Sequence, residues 1–90
     1  MKYIEWNSEK NEQLKKQRKV CFEDVINAFE NGKLLDTIDH YNKVRYSNQR
    51  IFIIEVDTYA YMVPFVEDSD KIFLKTIIPS RKATKVYLKK

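Results

Sequence analysis

Glycine, histidine and cysteine each occur once in these 90 residues and proline twice. With Gly32 as the only glycine, no Gly-rich loop is available to cradle phosphates, which argues against nucleoside-triphosphate chemistry. A lone cysteine, Cys21, forbids an internal disulfide and fits a reducing compartment. His40 and Cys21 together offer too few ligands for a zinc site, and no cofactor is expected. The longest apolar runs are four or five residues, such as Ile51-Phe52-Ile53-Ile54, against about 20 for a membrane-spanning helix. The opening MKYIEWNSEK has no apolar stretch of signal-peptide length, so a cytoplasmic location without membrane contact is expected. Acidic residues are missing after Asp70. The two halves of the chain therefore differ in charge, near balance up to His40 and basic beyond it. That asymmetry points either to an anionic partner, nucleic acid or an acidic protein, or to ordinary solubilising charge.

What is present is apolar, aromatic and strongly patterned. One Trp, six Tyr and five Phe supply the large side chains a small core needs. A single domain spanning 1–90 is expected, with no repeat or linker to divide it. Tyr3-Ile4-Glu5-Trp6 alternates as a short edge strand. Asn7 or Ser8 caps a helix over about 8–18, nearly all polar, with Leu14 as its one strong apolar anchor. Phe22, Val25, Ile26 and Phe29 make a single stripe on a second helix, which Asn31-Gly32 stops.

Beyond Gly32 the pattern changes to strands at Leu34–Ile38, Ile51–Val56, Tyr59–Val66 and Lys71–Ile78. Between the first two, 39–49 reads as a polar connection in which His40 is a solvated histidine. Asp57-Thr58 is a tight turn. Glu67–Asp70 is an acidic hairpin tip, since a calcium loop needs more ligands and a glycine. Closing both hairpins pairs Tyr61 with Ile54 and Thr76, and Val63 with Phe52 and Leu74. The striped helix covers that face. The opposite face then carries Ile53, Met62 and Lys75, with Glu55, Ala60 and Ile77 in the next row, and stands open for function. The expected class is α+β, two N-terminal helices on one face of a mostly antiparallel sheet of three to five strands.

One reaction suits such residues without a metal: RNA scission by attack of a 2′-hydroxyl on the adjacent phosphate. It needs cations for the phosphorane charge and groups to move protons. Arg81, Lys82, Lys75 and Arg50 supply charge, with Lys85 in the same basic stretch. Tyr87 supplies a ring to stack or a proton to give. Lys89 and Lys90 read as solubilising charge. Two other readings use the same surface, a non-catalytic nucleic-acid binder and a protein-interaction module.

The stretch IEWNSEKNEQLKKQRKVCFEDVINAFENG resembles the start of the BrnT-type toxins of bacterial type II toxin–antitoxin pairs, in its EKN helix start and its CFEDV opening of the second helix. KIFLKTIIPSRKATKVYL is similar to that family's closing strand and its Ser-Arg-Lys/Arg-Ala-Thr stretch. Cys21 stands where the family usually has serine. The resemblance implies a RelE-like fold and a hydrolase, a ribonuclease that inhibits translation. It also implies a cognate antitoxin, commonly of ribbon-helix-helix type, through which alone DNA would be contacted. By motif it carries functional weight onto Ser80, Arg81, Lys82, Ala83 and Thr84. At the other end it points to Glu9, Lys10 and Asn11, the latter two as RNA contacts. On this reading Arg81, Lys82, Lys75 and Tyr87 form the catalytic set, while Arg50, Lys10, Asn11 and Lys85 bind substrate.

Overall fold

The computed structural model describes residues 2–88; Lys89 and Lys90 lie outside them. Strand β1 (Tyr3–Trp6) leads into helix α1 (Ser8–Arg18), whose N-cap is Asn7. The Asn7 Oδ1 accepts the Lys10 N–H at 2.9 Å, satisfying one of the free donors of the first turn. Lys19 ends the helix in the left-handed region at φ 55°. Helix α1 has almost no apolar stripe, and a polar clamp adds to the hold of Leu14. The buried Asn11 side chain accepts the Phe22 N–H at 2.7 Å and donates to Glu23 Oε1 at 2.8 Å. At the other end, the Arg18 guanidinium donates to the Ile77 carbonyl.

Helix α2 (Phe22–Glu30) buries Phe22, Val25 and Ala28, spaced three apart as a core-facing stripe requires. Cys21 is its N-cap, and the Asp24 carboxylate accepts the Cys21 N–H at 2.9 Å. Burial, with the Glu23 carboxylate beside it, pushes the thiol's pKa up. Cys21 is thus a capping residue with a poorly ionised sulfur, a poor nucleophile. Gly32, at φ +71°, turns the chain out of the helix.

The remaining strands are β2 (Leu34–Asp39), β3 (Gln49–Val56), β4 (Tyr59–Glu67), β5 (Lys71–Leu74) and β6 (Ile78–Pro79). They form one sheet in the order β1-β5-β4-β3-β2, with β6 pairing β4. Only β1–β5 is parallel; the other pairs are antiparallel. The class is α+β, with more strands than expected and with helical structure at both ends of the chain. A three-residue helix α3 (Arg81–Ala83) runs into a π-helical turn at Thr84–Leu88.

The β3–β4 register is the expected one: Ile54 pairs with Tyr61, Phe52 with Val63 and Ile53 with Met62. The next hairpin differs. Phe65, not Val63, pairs with Leu74, a shift of two residues that keeps Leu74 on the helix side. The predicted strand 71–78 also breaks in two, and β6 resumes with Ile78 opposite Met62. Ile77, expected on the open face, is fully buried in the helix-side core instead. The cause is Pro64. Its carbonyl accepts the Lys75 N–H at 2.8 Å, so its missing N–H lies on that same side of β4. With one rung absent the ladder loses its hold, and the chain slips one residue between Leu74 and Ile78. In a strand, such a slip exchanges the faces.

Two cores result. Between sheet and helices lie Leu14, Phe22, Val25, Phe52, Phe65 and their neighbours, with Phe52 and Phe65 stacked at 3.8 Å between centroids. On the other face Ile53, Ala60 and Ala83 form a smaller cluster, flanked by Leu35, Ile38, Met62 and Leu88. Among the described residues no helix is long and apolar enough to cross a membrane. At the acidic tip, Asp68 Oδ1 accepts the N–H groups of Asp70 and Lys71 at 2.8 Å each, and these bonds hold its carboxyl below the usual range.

The β3–β4 turn holds both Asp57 (φ 51°) and Thr58 (φ 64°) in the left-handed region. That is the twist a two-residue hairpin favours, but a β-branched residue is strained there. Thr58→Gly is expected to stabilise the chain by about 0.5–1 kcal/mol, the strain relief exceeding glycine's entropic cost. Thermal unfolding followed by circular dichroism checks this, and an unchanged or lower midpoint would show that the turn is unstrained.

Candidate functional site

The C-terminal segment crosses the second face of the sheet, and the Ser-Arg-Lys-Ala-Thr stretch is what fastens it there. Ser80 donates its N–H to the Ala60 carbonyl at 3.0 Å, while its Oγ accepts the Ala83 N–H at 3.0 Å and so caps α3. The Thr84 hydroxyl accepts the Ala60 N–H at 2.9 Å and donates to the Ser80 carbonyl at 2.8 Å. Ala83 is buried against Ile53 and Ala60, where a larger side chain would collide with the sheet. Ser80, Ala83 and Thr84 are therefore anchors. Arg81 and Lys82, between them, are exposed.

A second fastening lies one turn further on. The Tyr87 hydroxyl donates to Asp36 Oδ2 at 2.6 Å, tying the π-helical turn to β2. The bond raises the phenol's pKa and, together with the Thr37 N–H, lowers that of the Asp36 carboxyl. The tether holds wherever Asp36 is ionised and Tyr87 protonated. It loosens as pH falls through the depressed carboxyl pKa or rises through the elevated phenol pKa.

Between this segment and the sheet lies a cavity of about 430 Å³. Ile38, Ile53 and Met62 line it from the strands, and Ala83, Val86 and Tyr87 from the C-terminal segment. Its polar lining comes from Ser80, Lys82 and Tyr41. Tyr41 is 78% exposed, yet its position is held from behind. His40, expected as a solvated loop residue, is buried, with the rings of Tyr41 and Tyr46 each 4.5 Å from its own. Its Nδ1 accepts the Asn42 N–H at 3.0 Å. The polar connection after β2 thus has one buried ring, His40, packed against two tyrosines.

The sequence-derived candidates fall into two groups. Arg81, Lys82, Lys85 and Tyr87 share the C-terminal segment, and Lys82 and Tyr87 line the cavity. Lys75 does not line it; its ammonium sits 5.6 Å from the centre of the Phe73 ring. By strand alternation Lys75 faces the same way as Ile53 and Met62, but beyond β4. Arg50 is directed to the helix side, within 4.0 Å of both Asp39 and Glu67, which offset its charge. Lys10 lies in the first turn of α1, also on the helix side. Asn11 is buried with both ends of its amide engaged, which corrects its reading as a substrate contact: it is a joint between helices.

Sequence reasoning missed Tyr41 and Asp36. The signal for Tyr41 was its closeness to His40 and Tyr46 in a segment otherwise polar. Asp36 gave less warning, since its partner lies 51 positions away. A second cleft of about 310 Å³, between α2 and the β3–β4 hairpin, is lined by Asp24, Glu55 and Asp57 with Lys33, which pairs with Glu55 at 3.8 Å. None of the candidate cations borders it. No protein-family model, curated protein or solved structure matches this chain.

Proposed function

We propose that this chain is a toxin of the toxin–antitoxin kind, a metal-independent endoribonuclease with a RelE-like arrangement that stops translation in the cytoplasm. A cognate antitoxin restrains it. The observation that carries the reading is the gathering of Arg81, Lys82, Lys85 and Tyr87 on one anchored segment beside an aromatic-rimmed cavity. The resemblance of both ends of the chain to the BrnT-type toxins supports it.

In the reaction the 2′-oxygen attacks the adjacent phosphorus, a 2′,3′-cyclic phosphate forms and the bond to the 5′-oxygen breaks. The 2′-hydroxyl gives up its proton and the 5′-oxygen gains one. Arg81 has the planar donor fork that clamps two phosphate oxygens, while Lys82 adds a point charge as the phosphorane develops. Tyr87 already spends its proton on Asp36, so stacking suits it better than proton transfer. Lys75, exposed on the same face, adds positive potential.

The test is to express wild type and Arg81→Ala under tight induction and to assay the purified proteins on labelled RNA with EDTA present. Wild type should arrest growth and cut the RNA. Arg81→Ala should cut about 10²–10³-fold more slowly, the loss typical of removing one donor to a developing charge. Equal rates would remove Arg81 from the mechanism. The exposed apolar side chains Tyr41, Val44 and Val86 favour the second reading, a binding module. RNA retained but left intact by wild type would decide for it.

A further inference from the structure

We infer that the second-face cavity is a mononucleotide pocket, in which one unpaired base lies on Met62 and Ile38 while its phosphate meets Lys82. This deepens the ribonuclease reading, since it names the part of an RNA strand that is held. Size and lining both fit a single nucleotide. About 430 Å³ is within the range of small-ligand sites, roughly 300–1,000 Å³, and far below what a duplex or a protein helix needs. The floor, from Ile38, Ile53 and Met62 on the sheet, is apolar. The polar groups of the lining are few, Ser80 and Lys82 from the C-terminal segment and the Tyr41 hydroxyl. An apolar ring attached to an anion fits that division.

The rim chemistry narrows the anion. Lys82 lies in a stretch with no acid after Asp70, and Arg81 and Lys85 are its neighbours in the chain. Asp36, which reaches this segment through its bond to Tyr87, is engaged there and does not line the cavity. Two tyrosines border the opening. Tyr87 is fixed by that bond, and Tyr41 is backed by His40. Rings held in place from one side present the other at low entropic cost, which suits stacking of a base of any identity. An unpaired base enters such a pocket readily, whereas a paired one must first leave its duplex.

The experiment titrates the full chain with AMP, adenosine and ribose 5-phosphate and follows amide and methyl resonances. AMP should shift Ile53, Met62 and Ala83 in a saturable way. Ribose 5-phosphate should bind about tenfold more weakly, the share that stacking supplies. Lys82→Ala should weaken AMP by about fivefold, a modest loss because the ammonium is exposed. Val86→Asp, which puts a carboxylate on the cavity wall, should weaken both AMP and adenosine, AMP the more strongly. Equal binding of AMP and ribose 5-phosphate would mean surface charge alone and would overturn the pocket, as would shifts confined to the helix side. The same samples given single-stranded RNA separate the two proposals. Saturable AMP shifts with intact RNA keep the pocket and remove the nuclease. Cleavage without any shift at the cavity does the reverse.

Discussion

Phe22→Ala is expected to lower the unfolding free energy by about 3–5 kcal/mol, the usual loss when a buried phenylalanine is truncated. Small domains have only about 5–15 kcal/mol in total, so this variant would be close to unfolded at moderate temperature. Phe22 has no exposed surface, and its ring stacks on Trp6 at 5.5 Å between centroids. It therefore ties α2 to β1 as well as to the sheet's helix-side face. Trp6 is the only tryptophan, so its fluorescence reports on that contact directly. Urea unfolding followed by this signal and by far-ultraviolet circular dichroism gives the measurement. A loss below about 1 kcal/mol would show that α2 does not depend on this ring for its seat.

Asn11→Ala should cost about 2–3 kcal/mol, for a different reason. Few apolar contacts go, but the Phe22 N–H is left in the interior without an acceptor. Glu23 also loses the Asn11 donor, the leading cause of its depressed carboxyl pKa. The depressed value means that this part of the stability is present above the ordinary carboxyl pKa and lost as pH falls through the lowered one. Unfolding curves at neutral and acidic pH should therefore differ more for wild type than for the variant. A parallel Lys10→Ala variant, altered one position away outside the clamp, should change stability by no more than about 0.5 kcal/mol. If the two substitutions cost the same, the clamp is not what holds α1.

Local chemistry was the legible part of this fold. Asn7 and Gly32 marked helix ends because capping and left-handed turns depend on single residues. The Asp57-Thr58 turn fixed the β3–β4 register for the same reason, two residues setting the alignment of the strands they join. The β4–β5 connection carried no such marker, since a four-residue tip closes with more than one alignment. Pro64 did carry a signal: a proline inside a central strand announces a missing rung. Read that way, it would have broken the strand at 71–78 and turned Ile77 inward.

The site was legible in part. The basic stretch around Arg81 and Lys82 was visible in the sequence, and so was an open second face. That the first would fold across the second was not. The crossing depends on Thr84 reaching Ala60 and Tyr87 reaching Asp36, contacts between residues far apart in the chain. Polarity at position 11 looked like exposure, yet a buried amide with both ends paired is as polar as a surface one.

The slip between β5 and β6 bears on how sequences of this shape can drift. Lys75 and Thr76 need no particular side chain to pass from one face to the other, so the fold should accept substitutions at both, and only the positive charge at Lys75 should matter to the proposed reaction. The number of residues between Leu74 and Ile78 is another matter. Gaining one would send Ile77 outward, and the anchors from Ser80 onward would arrive out of phase with Ala60, whereas losing one would give an unbroken ladder in which Leu74 and Ile77 still face the helices. Related chains should thus vary in spelling across this interval without lengthening it, and those that shorten it by one should be the ones that lack the proline in the neighbouring strand.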